Sequence, residues 1–122
     1  MYPPLFDTCE ASPEVRARLG FAPVRIYPHG AAPQGVARPY AVYQIVTGLP
    51  ANYLGDLPDC DSYTTQVDVY GSDPESTAAA ARSMRDALEP VAYVGAWRGQ
   101  FKDPDTTLYR YSFDVDWQVL RL

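Results

Sequence analysis

From Tyr109 to Val119 the chain alternates without a fault. Tyr109, Tyr111, Phe113, Val115, Trp117 and Val119 fall on one parity, and Arg110, Ser112, Asp114, Asp116 and Gln118 on the other. A period of two puts these sets on opposite faces of a β-strand, one dry and one polar. Ser62 to Tyr70 repeats the pattern, with Tyr63, Thr65, Val67 and Val69 set against Thr64, Gln66, Asp68 and Tyr70. Tyr40 to Thr47, β-branched and aromatic with Gln44 in its middle, is a third extended run. Val91 to Phe101 is expected to pair with Thr107 to Leu120 across the turn sequence Asp103-Pro104-Asp105-Thr106. Val24 to Tyr27 reads as a further short strand.

Helical signals sit between and before these runs. Asp73 is a capping residue, Pro74 suits a first turn, Glu75 complements the helix dipole, and Ala78 to Ala81 has high helix propensity. Ala81, Met84, Ala87 and Leu88 supply the apolar stripe and Pro90 the stop, which predicts a helix over 74–89. At the N-terminus Leu5, Phe6 and Cys9 form one stripe, and Val15 and Leu19 a second. Ser12-Pro13 starts the second of these short helices and Gly20 ends it. The expected fold class is α+β: an antiparallel sheet of four to five strands, with one main helix (about 74–89) and short N-terminal helices packed on one face. Residues 1–122 form a single domain, with no repeat and no linker.

Two connections stand out. Pro28 to Arg38 runs about ten residues, longer than most loops of compact domains, and carries His29 and Gln34. Gly48 to Asp61 reads as an arm between two strands, with Leu49, Tyr53, Leu54 and Leu57 along it. Four large apolar side chains on an arm need a surface to bury on, and in a chain this small another subunit supplies it. Tyrosine, ten of 122 residues, joins a large ring to a hydrogen-bonding tip, which suits either an interface or the core edge of an ordinary sheet.

Composition and charge narrow the functional classes. A 122-residue chain that is 47% hydrophobic and 20% charged is globular rather than disordered. No apolar run approaches the roughly 20 residues of a membrane helix, and Met1-Tyr2-Pro3-Pro4 lacks signal-peptide character, so a soluble cytoplasmic protein with no membrane partner is expected. Ten basic against fifteen acidic residues give a net charge of −5. Proteins that grip nucleic acid cluster Lys and Arg, whereas Lys102 is the one lysine here. Sequence-specific nucleic-acid binding is therefore not expected, although DNA can slide past walls of this sign.

Catalytic chemistry finds little support. Gln44, Gln66, Asp68, Asp114 and Asp116 share the polar sheet face, with Arg110 nearby. Three carboxylates there can take a metal or divide acid and base roles, but alternate-position carboxylates more often face solvent or a partner subunit. No phosphate loop, serine elbow or HExxH pattern occurs. Cys9 and Cys60, 51 positions apart, read as free thiols, and no local spacing supports a zinc site with His29. Neither catalytic residues, cofactor nor metal are expected.

Three ordered stretches together resemble the tail terminator, or tail completion, proteins of long-tailed (siphovirus-type) bacteriophages and prophages. They are Tyr27-Pro28-His29-Gly30 through Val36 followed by Pro39-Tyr40; Asp61 through Tyr70 entering an alanine-rich helix; and Phe101-Lys102-Asp103-Pro104-Asp105-Thr106-Thr107-Leu108-Tyr109-Arg110 leading into Phe113-Asp114-Val115. The resemblance implies a structural protein without catalysis. It would be a homohexameric ring on the head-proximal end of the tail tube, with the isolated chain either a monomer awaiting assembly or already a ring. There it would stop tube polymerisation and meet the head–tail connector, with DNA passing through the hole. The implied partners are its own copies, the major tail tube protein and the connector; the implied location is the virion tail, after assembly in the host cytoplasm. Tyr53, Leu54, Leu57, His29 and Gln34 are then the candidate subunit or partner contacts. Gln66, Asp68, Asp114 and Asp116 are candidates for the lumen or the seam. A head-completion (neck) protein is the nearest alternative, and a small metal- or ligand-binding enzyme using Asp68, Asp114 and Asp116 a more distant one.

Overall fold

A computed structural model describes residues 3–21, 23–52, 55, 57–104 and 106–121. The element order is α1 (Leu5–Glu10), α2 (Pro13–Leu19), β1 (Ile26–Pro28), β2 (Tyr40–Pro50), β3 (Cys60–Gly71), α3 (Pro74–Leu88), β4 (Tyr93–Lys102) and β5 (Tyr109–Leu120). The strands form one five-stranded sheet in the order β1-β2-β3-β5-β4. Three of its four pairings are antiparallel, as expected. The fourth departs from that expectation: β1 runs parallel to β2, because the eleven-residue connection 29–39 carries the chain back before β2 begins.

The helices lie on one face, where the odd positions of β3 and β5 point. Val67, Val69, Phe113, Val115 and Trp117 pack there against Ala80, Ala81, Met84 and Leu88 of α3, with Leu5, Cys9, Val15 and Leu19 closing the layer. Sequence signals for two helix starts are realised in detail. Asp73 accepts from Ser76 N–H at 2.8 Å, and Ser12 accepts from Val15 N–H at 3.4 Å. Gly71, just before the α3 cap, touches Thr77 so closely that a Cβ there would collide with the hydroxyl. A side-chain hydrogen bond is built into this layer: buried Thr65 accepts from Trp117 Nε1–H at 3.1 Å and donates to Val115 O at 3.4 Å. Trp97 of β4 covers the layer's edge, edge-on to Tyr111 and tilted on Phe113, with both centroids 4.9 Å away.

Two strands depart from regular pairing. β2 carries a bulge between Ile45 and Thr47, and β4 carries two, between Val94 and Ala96 and between Trp97 and Gly99. Bulges turn the local face and bend the strand. Among the described residues, no helix is long and apolar enough to cross a membrane.

Candidate assembly surfaces

The second sheet face is polar, and the register shows why its members meet. Gln66 pairs with Asp114, Thr64 with Asp116 and Asp68 with Ser112, so all four candidates of this face lie on adjacent strands. They are bound into a network rather than left open. Gln66 donates to Asp68 at 3.2 Å, Ser112 donates to Asp68, and Thr64 donates to Asp116 at 2.7 Å. Arg98 of β4 grips Asp114 with two bonds of 3.0 and 2.8 Å, which raises its own pKa. Arg110 stands 3.8 Å from Asp68 and lies over the Phe101 ring at 4.2 Å.

The Asp68 and Asp114 side chains are each only 13% exposed, and each faces an arginine. That is the chemistry of a neutralised, hydrogen-bonded wall. Among the described residues no group of three or more His, Cys, Asp or Glu side chains is placed to hold a metal ion. Cys9 is buried beneath the helices, where burial pushes its thiol up to about 12, while Cys60 opens β3 and His29 follows β1. These placements leave neither the carboxylate trio nor the Cys–Cys–His set as a ligand cluster.

The segment Gly48 to Asp61 is corrected by the structure. It is not loop throughout: β2 and β3 continue into it, pairing Gly48 with Tyr63, Leu49 with Ser62 and Pro50 with Asp61. Gly48 permits this because a Cβ there would press on the Tyr63 ring at 3.2 Å. Ala51 N–H closes the ladder on Cys60 O at 2.9 Å, leaving 51–59 as the arm proper. Arg121 braces its base. Arg121 binds both Asp61 oxygens at 2.9 and 2.7 Å, lowering the Asp61 pKa, and its N–H reaches Asp59 O at 2.8 Å.

Apolar residues of the arm region face solvent. Leu49 is 67% exposed, Leu57 88% and Leu120 63%. Leu49 and Leu120 share the polar side of the sheet, since they pair with Ser62 and Cys60. Tyr53 and Leu54 lie outside the described residues. His29 and Gln34 are exposed on the loop between β1 and β2. This loop and the β4–β5 turn enclose an open cradle of about 530 Å³, lined in part by Pro33, Val36, Arg38, Tyr40, Thr106 and Leu108. The loop and the arm thus sit at opposite ends of β2, and the polar face lies between them.

Sequence reading misses Arg98 and Phe101, which complete the polar network from β4. The two bulges and the glycines Gly95 and Gly99 break the alternation of that strand, so no period-two signal reveals which side each residue takes.

No curated protein matches the chain. A chain from the virion of a native gene transfer agent (GTA) particle has the same fold, with a TM-score of 0.75 at 14% identity over 96% of this chain and 92% of that one. The model of the family described as tail completion protein gp17 matches residues 3–120. That match spans every strand and helix described above, and the chain belongs to the tail completion protein gp17 family of structural phage-tail proteins.

Proposed function

We propose that this chain forms a homohexameric ring on the head-proximal end of a phage tail tube, where it ends tube polymerisation and offers the joining surface to the head–tail connector. The observation that carries the reading is the family match across residues 3–120. The surfaces described above support it. A fold that completes its core on one face, yet leaves Leu49, Leu57 and Leu120 on a braced projection, has apolar area left for a second molecule. A ring needs heterologous contacts, in which one patch meets a different patch on the next copy. The arm and the loop at opposite ends of β2 are two such patches.

The polar face fits the lumen of that ring. DNA passing through meets carboxylates that are already hydrogen-bonded and, at Asp68 and Asp114, already paired with arginines. Arg98 and Arg110 are engaged by those carboxylates rather than offered to phosphates, and the net charge of −5 repels a polyanion. The test is the solution mass by light scattering, followed by addition of tail tube protein. A closed species near six times 13.5 kDa, or tubes whose length becomes capped, is the expected result. A chain that binds connector and ignores tube ends would instead be a neck protein.

A further inference from the structure

The net charge conceals a segregation. From Val15 to Gly55 the sequence holds no Asp or Glu, while it carries Arg16, Arg18, Arg25 and Arg38. From Pro39 to Ala81 it holds no Lys or Arg, while it carries six carboxylates, three of them (Asp56, Asp59, Asp61) in or beside the arm. The fold turns this linear split into a spatial one. The loop that carries Arg38 enters β2 at Tyr40, and the arm that carries Asp56 and Asp59 leaves it at Pro50. At about 3.3 Å per residue the two ends stand roughly 33 Å apart. Paired β2 and β3 hold the arm away from its own loop, so an arm cannot fill the cradle of its own chain.

We propose that the arm of one copy seats in the cradle of the next, with Leu57 against Pro33, Val36 and Leu108. This docking rests on the ring reading above and deepens it by naming the two halves of the contact. Three observations select a second copy of this chain as the occupant. The arm exposes leucine, and the cradle is a concavity of about 530 Å³ with proline, valine and leucine in its wall. The cradle lining carries Arg38 as its charged residue, and the arm sequence carries Asp56 and Asp59 beyond the Asp61 that Arg121 pairs. The two patches sit at opposite ends of one rigid sheet, which is the arrangement that passes a contact from copy to copy until rotation closes it.

The test uses two variants at exposed positions, Leu57→Glu in the arm and Arg38→Glu in the cradle. Each is checked for wild-type melting; should Arg38→Glu melt early, Gln34→Glu replaces it. Mass is read by light scattering in the setting where the wild-type chain closes, in isolation or on tail-tube ends. Each variant alone is expected to lose the closed species. An equimolar mixture is expected to give a species of twice 13.5 kDa and nothing larger, since each pair retains one intact arm and one intact cradle. Closure by either variant alone overturns the docking, as does a mixture that stays monomeric. If the wild-type chain closes in neither setting, the ring reading itself falls and the docking with it.

Discussion

Replacing Thr65 by Val tests how much one buried hydrogen bond contributes to the core. Thr65 is 1% exposed and its hydroxyl is the acceptor for Trp117 Nε1–H at 3.1 Å. Valine keeps the shape but leaves the indole N–H, on a side chain that is itself buried, without a partner. Leaving a buried donor unsatisfied costs about 1–3 kcal/mol. For a domain of this size about 4 °C of melting temperature accompanies each kcal/mol, so the variant should melt roughly 4–12 °C lower. Urea unfolding followed by tryptophan fluorescence would show a lower midpoint with an unchanged slope. Trp117→Phe, made in both backgrounds, supplies the decisive control. With no donor left to orphan, this second substitution should cost about 1 kcal/mol less in the Thr65→Val protein than in the wild type. A Thr65→Val protein within about 0.5 kcal/mol of wild type, or a coupling of zero, would refute the assignment of that hydrogen bond to stability.

Other expectations follow from the same structure. Phe113→Ala removes the largest fully buried side chain among the described residues and should cost about 3–5 kcal/mol by urea denaturation, enough to leave the protein close to unfolding. Asp61 and Asp73 have depressed pKa values, the first through hydrogen bonds from Arg121 and the second through the Ser76 N–H. A carboxylate depressed in the folded state contributes stability present above its unfolded value and lost as pH falls through the folded one, so melting temperature should drop below pH about 4. In Asp73→Asn that acid limb should be shallower in a pH series of melting curves. Cys9 should stay inert to a thiol reagent in native buffer and react once denaturant is added, because it is buried and its thiol is pushed up to about 12. Cys60, only half-buried, should react first, and counting labelled thiols by mass spectrometry separates the two.

Legibility in the sequence follows the regularity of each element. β3 and β5 are readable because their alternation is unbroken, and α3 because Asp73, Pro74 and the alanines all speak for the same helix. The polar face is readable for the same reason, since parity alone puts Asp68, Asp114 and Asp116 on one side. What parity cannot show is the partner. Arg98 and Phe101 belong to a strand whose bulges scramble its period, so the neutralisation of Asp114 and the stacking of Arg110 on Phe101 need the register. The far half of β2 misleads for a related reason. Gly48 and Pro50 are turn residues by composition, yet Gly48 is there to admit the Tyr63 ring. The parallel β1 pairing rests on three residues, too few for any pattern.

The β2 bulge governs more than local shape. Ahead of Val46, Ile45 pairs with Thr65 and takes the helical side; behind it, Thr47 pairs with Thr64 and takes the polar side. Leu49 has the same parity as Ala41 and Ile45, yet it stands opposite Ser62, because Val46 is the one residue that the ladder does not count. Deleting Val46 would therefore smooth the strand and leave Leu49 where it is. Adding one residue between Thr47 and Gly48 would do the reverse, sliding Leu49 opposite Asp61 and onto the helical side. The arm would keep its length, its leucines and its charge but present the opposite surface to a neighbour. Under the proposed docking, the direction in which a subunit recruits the next one is encoded by a count of residues ahead of the arm, independently of which residues the arm contains.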